Sequence, residues 1–370
     1  MTRQVDADTL RQWLDGHEPV TVLDIRTDED RGQWAIPGSV HLNAYEALRA
    51  GHAGPLADVS FPLDRPVVIV CNAGRVSQTA ADLLSARGID ACSLAGGMKA
   101  WSLAWNTAEV QLADASVRII QIRRTGKGCL SYLVGSDGDA AVIDPSLPPD
   151  VYLAAAKRQG WRVRYVLETH VHADHLSRAR QLAERSAATL LLPDQQRVHF
   201  PFSGVVDGDT IMVGTATITA RRTPGHTDES TSYVLNEEAV FTGDTLFTKG
   251  VGRPDLHADA EGAQRRAKAL FGSLMRLTAL GPEVVVLPAH ASEPIAFDGR
   301  AIGARMQDVG TALAEWFVSE QAFVERVTSR LPPTPPNFAR IVELNEAGEL
   351  PEGDPTDLEA GANRCAVPWG

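Results

Sequence analysis

The chain has 370 residues, a formal net charge of −12 and a pI of about 5.3. This length exceeds what one ordinary core requires, so we expect two domains, and the acidic balance excludes nucleic acid and anionic membranes as expected partners. No apolar run approaches the roughly 20 residues of a membrane-spanning helix, and the first residues lack the apolar region of a signal peptide. The four cysteines have no framework spacing, so we expect reduced thiols and a cytoplasmic location.

Alternating strand and helix patterns fill the first hundred residues. The run from Val67 to Val70 is short and wholly apolar, as is typical of a buried parallel strand, and Cys71 follows at its carboxyl end. A helix is expected over 77–87, with Ser77 as its N-cap and Gly88 as its stop. This alternation predicts an α/β domain with a parallel sheet.

The loop between this strand and helix has a chemical use. Backbone N–H groups of such a loop, together with the helix N-terminus, can converge on one point and form a cradle for an anion or a transferred sulfur. Cys71 would then react as a thiolate, and Arg75 would add a full positive charge. The residues expected to form this sulfur cradle are Asn72, Ala73, Gly74, Arg75 and Val76.

Three further segments accompany Cys71: Asp24-x-Arg26, Ile36-Pro37-Gly38 and Gly96-Gly97-Met98-x-x-Trp101. Together they resemble a single rhodanese domain covering residues 1–108. The resemblance implies sulfurtransferase activity through a Cys71 persulfide, with thiosulfate or sulfite as a small-molecule partner. Asp24 and Arg26 are expected to form a structural ion pair.

A second group of chemically useful residues lies within six positions: His170, His172, Asp174 and His175. A strand is expected over 163–167 and a helix over 176–185, with Asp174 and His175 opening that helix. The cluster should therefore lie at the carboxyl end of a strand, where open α/β folds place their chemistry, with His170 and His172 aimed at one point. Imidazole and carboxylate groups are ligands for zinc, iron or manganese.

Three more candidate ligands follow strand-like runs: His226, Asp244 and His290. His226 lies in a Gly-His-Thr turn, Asp244 follows Gly243, and His290 ends an apolar run over 284–289. Taken as a series with the first cluster, these residues predict one metal centre. Their spacing leaves open whether it holds one metal or two.

The order H-x-H-x-D-H, Gly-His-Thr, Gly-Asp and Ala-His resembles the metallo-β-lactamase superfamily over about 115–330. This implies a four-layer αββα sandwich with the site at one edge. The expected fold is therefore an N-terminal rhodanese-like α/β domain with a parallel sheet, followed by the αββα sandwich. We expect domains at 1–108 and 109–350, and a C-terminal segment, 351–370, packed on the second domain.

Two segments are similar to those of persulfide dioxygenases: the G-x-G-R-x-D motif within 248–255, and 358–365. This resemblance implies one Fe(II) per chain, held by His170, His226 and Asp244, with open positions for O₂ and a substrate sulfur. The remaining candidates would orient these ligands or hold a second metal: His172, Asp174, His175 and His290. Arg253 is expected to bind the carboxylate of a glutathione-like thiol, and pairing with Asp255 is the alternative.

The combined expectation is a bifunctional sulfur enzyme. Its metal domain would oxidise a thiol persulfide with O₂ to sulfite, and its Cys71 domain would transfer sulfane sulfur. One alternative is a thioester hydrolase of the glyoxalase II kind with two zinc ions or mixed metals and a regulatory rhodanese module. Another is a sulfur carrier that delivers the Cys71 persulfide to a partner. The sequence leaves open the acceptor thiol, which could be glutathione, coenzyme A or another thiol. It also leaves open the oligomeric state, for which a homodimer is one option.

Overall fold

The first part of the chain forms a parallel sheet with helices around it. The computed structural model describes residues 3–361 and 363–368. The elements of this part are β1 (Gln4–Val5), α1 (Ala7–Asp15), β2 (Thr21–Asp24), α2 (Asp28–Gln33), β3 (Val40–His41), α3 (Tyr45–Arg49), β4 (Val67–Val70), α4 (Val76–Ser85), β5 (Ala91–Leu94) and α5 (Gly97–Trp101). The five strands lie in the order β1-β5-β4-β2-β3 with every pairing parallel, which confirms the expected sheet.

The helix after Cys71 differs from the expectation at its start. It begins at Val76, so Ser77 lies inside the helix and is not its cap. The Ser77 hydroxyl is buried and lies 2.7 Å from Ser93 Oγ and 3.3 Å from Cys71 Sγ, because the first helical turn packs directly against the sheet. The helix ends at Ser85, two residues before the expected end at residue 87. Gly88 still follows this end with a φ of +80°, and its N–H donates to the Ser85 carbonyl.

The second part contains two larger sheets. The elements up to the end of the first of these are β6 (Asn106–Val110), β7 (Val117–Arg123), β8 (Leu130–Ser136), β9 (Asp139–Ile143), α6 (Pro149–Arg158), β10 (Arg162–Leu167), α7 (Ala179–Ser186), β11 (Thr189–Pro193) and β12 (Ser203–Val205). The remaining elements are β13 (Thr210–Val213), β14 (Ala216–Arg222), β15 (Thr231–Leu235), β16 (Ala239–Gly243), β17 (Leu246–Phe247), β18 (Gly250–Gly252), α8 (Ala260–Thr278), β19 (Val285–Pro288), β20 (Ala304–Arg305), α9 (Met306–Ala314), α10 (Glu320–Ser329), α11 (Phe338–Ala347), α12 (Thr356–Glu359) and β21 (Ala366–Pro368).

These elements stack in four layers. The first sheet has the order β12-β11-β10-β9-β8-β7-β6 and the second has the order β13-β14-β15-β16-β19-β20. Their inner faces share one apolar core, in which the rings of Tyr132 and Phe241 lie 4.9 Å apart. Residues of α6 and α7, such as Leu182, cover the outer face of the first sheet, and residues of α8, α9 and α10, such as Leu270, cover that of the second. The αββα expectation is therefore confirmed.

The two parts of the chain are in direct contact. Trp34 Nε1 donates to the Thr125 carbonyl at 2.9 Å, and the Gly126 N–H donates to the Ala104 carbonyl at 3.1 Å. Strand β6 spans the predicted boundary at residue 108 and pairs with β7, and the division into domains stays a prediction.

The C-terminal segment contacts both parts. Strand β21 pairs with β18, while Lys99 forms ion pairs with Asp354 and Asp357. Ala362, Trp369 and Gly370 of the expected segment lie outside the described residues. Within the described part of the chain, no helix combines the length and apolar character needed to cross a membrane.

The loop that carries the histidine cluster is longer than expected. Helix α7 begins at Ala179, so the prediction that Asp174 and His175 open it is wrong. The backbone groups that would form the first turn of such a helix bond to distant side chains instead. Asn345 Nδ2 donates to the carbonyls of His172 and His175, and the Leu176 N–H donates to Glu359. These partners lie more than 160 residues away in sequence, so the local pattern could not reveal them.

Candidate metal centre and cysteine site

Three residues from three different loops face one another at the edge of the sandwich. His170 follows β10, His226 follows β14, and Asp244 follows β16. Asp244 Oδ2 lies 3.8 Å from His170 Nε2 and 3.7 Å from His226 Nε2. The three ligand atoms all lie within 4.8 Å of one another, and all three residues are buried. The arrangement is a two-histidine, one-carboxylate set, a type that leaves positions open on a non-haem iron.

Hydrogen bonds on the far side of each ring hold the two histidines in the required tautomer. His170 Nδ1 lies 2.9 Å from Thr169 Oγ1, which itself donates to Asp144 Oδ2, so Nδ1 carries the proton. His226 Nδ1 donates to the Arg253 carbonyl at 2.8 Å. Each Nε2 therefore presents a lone pair towards Asp244, as ligand histidines do when an outer partner fixes their orientation.

A second cluster lies next to the first. The ligand atoms of Cys129, Asp174, His175 and His290 all lie within 4.8 Å of one another, and all four residues are buried. His290 connects the clusters, because its Nδ1 lies 2.6 Å from Asp244 Oδ1 while its Nε2 lies 2.6 Å from Asp174 Oδ2. The structure thus brings together the predicted second group, with His172 alongside, and adds Cys129.

His172 has a different environment from the one expected. Its Nε2 lies 3.0 Å from Glu168 Oε2 and 3.3 Å from Asp144 Oδ1, so this nitrogen faces two carboxylates. Its ring still lies 4.2 Å from that of His170, and its buried Nδ1 has no hydrogen-bond partner. His172 can therefore orient the centre through its Nε2 or offer Nδ1 as a further ligand.

Burial and charge favour metal binding at neutral pH. Burial, reinforced by the neighbouring His172, lowers the pKa of His170 well below its usual range, and burial also lowers the pKa of His226. Burial opposes ionisation of Asp244, but contact with His290 outweighs it and lowers the pKa of that carboxyl. Two neutral imidazoles and one carboxylate are the forms that bind a divalent cation.

The buried polar atoms of the site are themselves evidence for a cation. Buried side-chain atoms without a hydrogen-bond partner are rare in proteins and call for an explanation. Five such atoms lie here: His170 Nε2, His172 Nδ1, His175 Nε2, Asp244 Oδ2 and His290 Nε2. A cation would satisfy them, so the residues fit a bound metal ion.

A cavity adjoins the centre on each of two sides. One, of about 380 Å³, is lined by His226 and by Arg197, His257 and Arg266. The other, of about 280 Å³, is lined by His290 and Arg123. Both are large enough to admit part of a small thiol substrate.

Cys71 lies at the carboxyl end of β4 with its side chain buried. The Ser77 N–H points at Cys71 Sγ across 3.4 Å, which places the sulfur at the N-terminus of α4. Gly97 closes the loop from the other side, and any side chain there would overlap the Cys71 carbonyl oxygen. Of the expected cradle residues, Ala73 and Arg75 are exposed, Asn72 and Val76 are partly buried and Gly74 is buried.

Arg253 differs from its expected role. Its side chain is 1% exposed, and its Nε and Nη2 each donate to Asp255 at 2.7 Å. Its Nη1 donates to the carbonyls of Pro333 and Arg364. With every guanidinium nitrogen engaged inside the protein, Arg253 joins the G-x-G-R-x-D loop to the C-terminal segment, and the predicted substrate contact is corrected to this structural role. The expected pair of Asp24 and Arg26 is confirmed, at 2.7 Å.

Sequence reasoning missed several residues around the centre. The sequence predicts Cys129 and Cys365 only as reduced thiols, yet Cys129 joins the second cluster, and burial beside Asp244 raises the pKa of Cys365. Glu168, which contacts His172, directly follows the strand expected over 163–167, and this position is the available signal. Asp144, the other carboxylate in contact with His172, follows β9. No spacing rule connects Cys129 to the histidines more than 40 residues away.

A four-layer αββα sandwich with histidines and carboxylates clustered at its edge defines a class of metalloproteins. Residues 124–290 match the metallo-beta-lactamase superfamily, and residues 6–104 match the rhodanese-like domain. The chain belongs to the metallo-β-lactamase superfamily and carries a rhodanese-like domain in its N-terminal part. Both expected resemblances are thereby confirmed.

Similar proteins carry two different activities in their names. The mitochondrial persulfide dioxygenase ETHE1 of Homo sapiens is 35% identical over 173 residues, which are 43% of this chain and 63% of that protein. A hydroxyacylglutathione hydrolase of Anaeromyxobacter dehalogenans is 33% identical over 53% of this chain and 77% of that protein. The crystal structure of ETHE1 from Myxococcus xanthus is similar with a TM-score of 0.53 and 30% identity, covering 62% of this chain and 97% of that one.

Proposed function

We propose that the protein is an iron-dependent persulfide dioxygenase joined to a sulfurtransferase. The observation that carries this proposal is the buried group of His170, His226 and Asp244. His170 Nε2 and Asp244 Oδ2 have no hydrogen-bond partner, and His226 Nε2 faces the same carboxylate oxygen at 3.7 Å. Similarity to the human persulfide dioxygenase and the G-x-G-R-x-D motif support the same reaction. This chain covers 63% of the length of that relative.

The proposed reaction converts a thiol persulfide, O₂ and water into the thiol, sulfite and two protons. The terminal sulfur of the persulfide is oxidised, O₂ is reduced, and the S–S bond breaks with the thiol as leaving group. Fe(II) bound at the three residues would supply the reaction with O₂ that amino-acid side chains cannot perform. The chain itself contributes the buried pocket, which excludes bulk water. It also fixes both ligand rings, because His170 Nδ1 donates to Thr169 Oγ1 and His226 Nδ1 donates to the Arg253 carbonyl.

The substrate is proposed to be a low-molecular-weight persulfide such as glutathione persulfide. The cavity of about 380 Å³ beside His226 would receive the thiol portion, and Arg197 at this cavity would face one of its carboxylates. Arg197 is a better candidate for substrate recognition than Arg253, because its side chain is 33% exposed although it pairs with Glu229 and Glu346.

Cys71 is proposed to carry the second activity. Its thiolate would attack the sulfane sulfur of thiosulfate, forming a Cys71 persulfide and releasing sulfite without net oxidation. The position of Sγ at the start of α4 supports this role, because the helix N-terminus stabilises a negative charge there. Sulfite made by one site and consumed by the reverse transfer at the other would explain the fusion.

The proposal is tested with iron-loaded wild-type protein and a Cys71→Ser variant. Both should consume O₂ with glutathione persulfide, while only the wild type should transfer sulfur from thiosulfate to cyanide. Loss of both activities in a folded Cys71→Ser protein would contradict the division of labour. Absence of oxygen uptake in the wild type would remove the dioxygenase.

A thioester hydrolase is the second candidate, because the second cluster could support a two-metal centre. This chain also covers 77% of the hydroxyacylglutathione hydrolase, compared with 63% of the human persulfide dioxygenase. Such an enzyme would hydrolyse S-lactoylglutathione without O₂ and with two equivalent metal ions. Hydrolysis by the zinc-loaded protein, with no persulfide oxidation by the iron-loaded one, would favour this candidate.

A further inference from the structure

One buried arginine near the metal centre has an unused hydrogen-bond donor. Arg123 is the last residue of β7, and its side chain is 1% exposed. Its Nε donates to Asn106 Oδ1 at 2.7 Å, and its Nη1 donates to Asp298 Oδ1 at 3.0 Å and to the Arg300 carbonyl. Its Nη2 is also buried and has no hydrogen-bond partner. A buried charged donor without an acceptor is costly, so this nitrogen indicates a ligand.

The guanidinium group borders the cavity of about 280 Å³ that adjoins the metal centre at His290. Asp298 and Arg300, which accept from Arg123 Nη1, line the same cavity. The charged end of Arg123 is therefore the part that lies at the cavity wall. Pockets for drug-sized ligands measure about 300–1,000 Å³, so this cavity suits a smaller ligand.

The charges around this cavity favour an anion. Three cationic side chains line it, Arg123, Lys249 and Arg300, against two carboxylates, Glu293 and Asp298. Lys249 and Glu293 pair with each other at 3.4 Å and are both exposed, so they lie at the solvent end, while Arg123 lies at the buried end. The lining thus has a positive excess in a chain whose net charge is −12. A planar guanidinium binds the oxygens of an anion in a fixed geometry.

The segment that forms the cavity connects the metal centre with the rhodanese-like part. The segment begins at His290, and its Phe297 packs against Trp101 of α5, with the ring centroids 6.2 Å apart. Helix α5 in turn begins at Gly97, which closes the Cys71 loop. An anion in this cavity would therefore lie beside the metal centre, on a segment that also contacts the sulfurtransferase part.

We propose that this cavity is a binding site for a small oxyanion of sulfur, in which Arg123 Nη2 donates to one oxygen of the ligand. Sulfite formed at the metal centre and thiosulfate from solution share the negative oxygens that this donor requires. Naming sulfite as an occupant rests on the proposed oxidation, whereas the anion site itself does not. Sulfite retained here would be available to the sulfur transfer proposed at Cys71.

Asp298 gives this proposal a test of definite sign. Its carboxylate shares the Arg123 guanidinium with the ligand and repels an anion in the cavity. An anion site therefore predicts that Asp298→Asn binds the ligand more tightly. A purely structural role for Arg123 predicts no such gain, because the substitution would then only weaken an internal ion pair.

The test measures binding by isothermal titration calorimetry to metal-loaded, full-length Cys71→Ser protein without O₂. These conditions prevent both oxidation and the reaction of thiosulfate with Cys71. Arg123→Gln in this background should weaken the binding of sulfite and thiosulfate by at least about tenfold, as expected for the loss of a hydrogen bond from a charged group. Asp298→Asn should tighten it by about two- to fivefold. Arg221→Gln, at an exposed arginine of β14, is the matched control and should bind as its parent does.

Three results would overturn the proposal. Binding that is equal in the parent, Arg123→Gln and Asp298→Asn would refute the site, since an anion held by the metal alone is insensitive to both residues. Phosphate binding more tightly than sulfite and thiosulfate would refute a site for sulfur oxyanions. If Arg123→Gln does not fold, Asp298→Asn decides, because Asp298 is 43% exposed and its variant must show the gain.

Two further comparisons identify the source of the ligand and separate this site from the proposed reaction. Tighter binding of sulfite would identify the product of the metal centre as the occupant, and tighter binding of thiosulfate would identify the anion from solution. Oxygen uptake with glutathione persulfide is recorded on iron-loaded wild-type protein. Anion binding without uptake sinks only the dioxygenase, and uptake without anion binding sinks only this site.

Discussion

Glu359 holds the loop of the metal centre through a buried charge cluster. Its side chain is fully buried and accepts hydrogen bonds from Arg124 at 3.1 and 3.3 Å, from Arg178 at 3.4 Å and from the Leu176 N–H at 2.8 Å. Glu359→Gln would leave two buried guanidinium groups without a counter-charge. Breaking a buried ion pair from one side costs about 3–5 kcal/mol, so the free energy of unfolding should fall by that amount.

The pH dependence of this effect has a definite sign. Burial opposes the charged form of Glu359, but Arg124 and then Arg178 outweigh it and lower the pKa of the carboxyl. A lowered folded-state pKa contributes stability above the ordinary value, and this stability is lost as the pH falls through the folded-state pKa. The difference between wild type and Glu359→Gln should therefore be complete at neutral pH and shrink in acid.

The assay is denaturant unfolding of both proteins followed by circular dichroism, at neutral and acidic pH. Glu109→Gln is the matched control, because Glu109 and its partner Arg118 are both 44% exposed and such a pair contributes about 0.2–1 kcal/mol. If Glu359→Gln destabilised the protein no more than Glu109→Gln does, the buried cluster would not have the role derived for it.

Three other substitutions have distinct expected results. Gly97→Ala should abolish sulfur transfer, because its side chain would overlap the Cys71 carbonyl oxygen. Gly88 also has a positive φ but has open space around it, so Gly88→Ala should cost about 1–2 kcal/mol of stability and keep the activity. Equal activities of the two variants would refute the crowding argument. Asp244→Asn should retain less than about one tenth of the wild-type iron and keep sulfur transfer, as iron analysis and a cyanide assay would show. Arg253→Lys should lower the free energy of unfolding by about 1–3 kcal/mol without raising KM for persulfide, and a raised KM alone would restore its predicted substrate role.

The ligands of the metal centre could be predicted because each follows a strand. Asp244 and His290 follow the apolar strands β16 and β19, which pair in parallel and therefore end at the same edge of the sheet. His226 follows β14, whose residues alternate between buried and partly buried. The parallel sheet around Cys71 could be predicted for the same reason, since the apolar run over 67–70 is bounded by a clear loop and helix.

Contacts between residues distant in sequence determine the features that could not be predicted from the sequence. The start of α7 at Ala179 depends on Asn345 and Glu359, which bond the preceding loop from the far end of the chain. The role of Arg253 depends on carbonyls at Pro333 and Arg364 that no local pattern indicates. Local periodicity describes which face of an element is buried, but not which distant polar group will meet its ends.

The environment of the Cys129 thiol in the second cluster also could not be predicted from the sequence. Burial raises the pKa of the Cys129 thiol, but His175 and His290 together outweigh burial and lower this pKa to about 6. That environment exists only once β8 is paired against the end of β19, so a count of cysteines could only suggest an inert residue.

The most direct test of the proposed chemistry is the stoichiometry of oxygen and sulfite. Iron-loaded protein with one iron per chain, supplied with glutathione persulfide, should consume one O₂ for each sulfite formed, and metal content should be determined on the same sample. A ratio of one that disappears on chelation of the iron is the result the account predicts. Sulfite formation without oxygen consumption, or no sulfite at all beside active thioester hydrolysis, would contradict it.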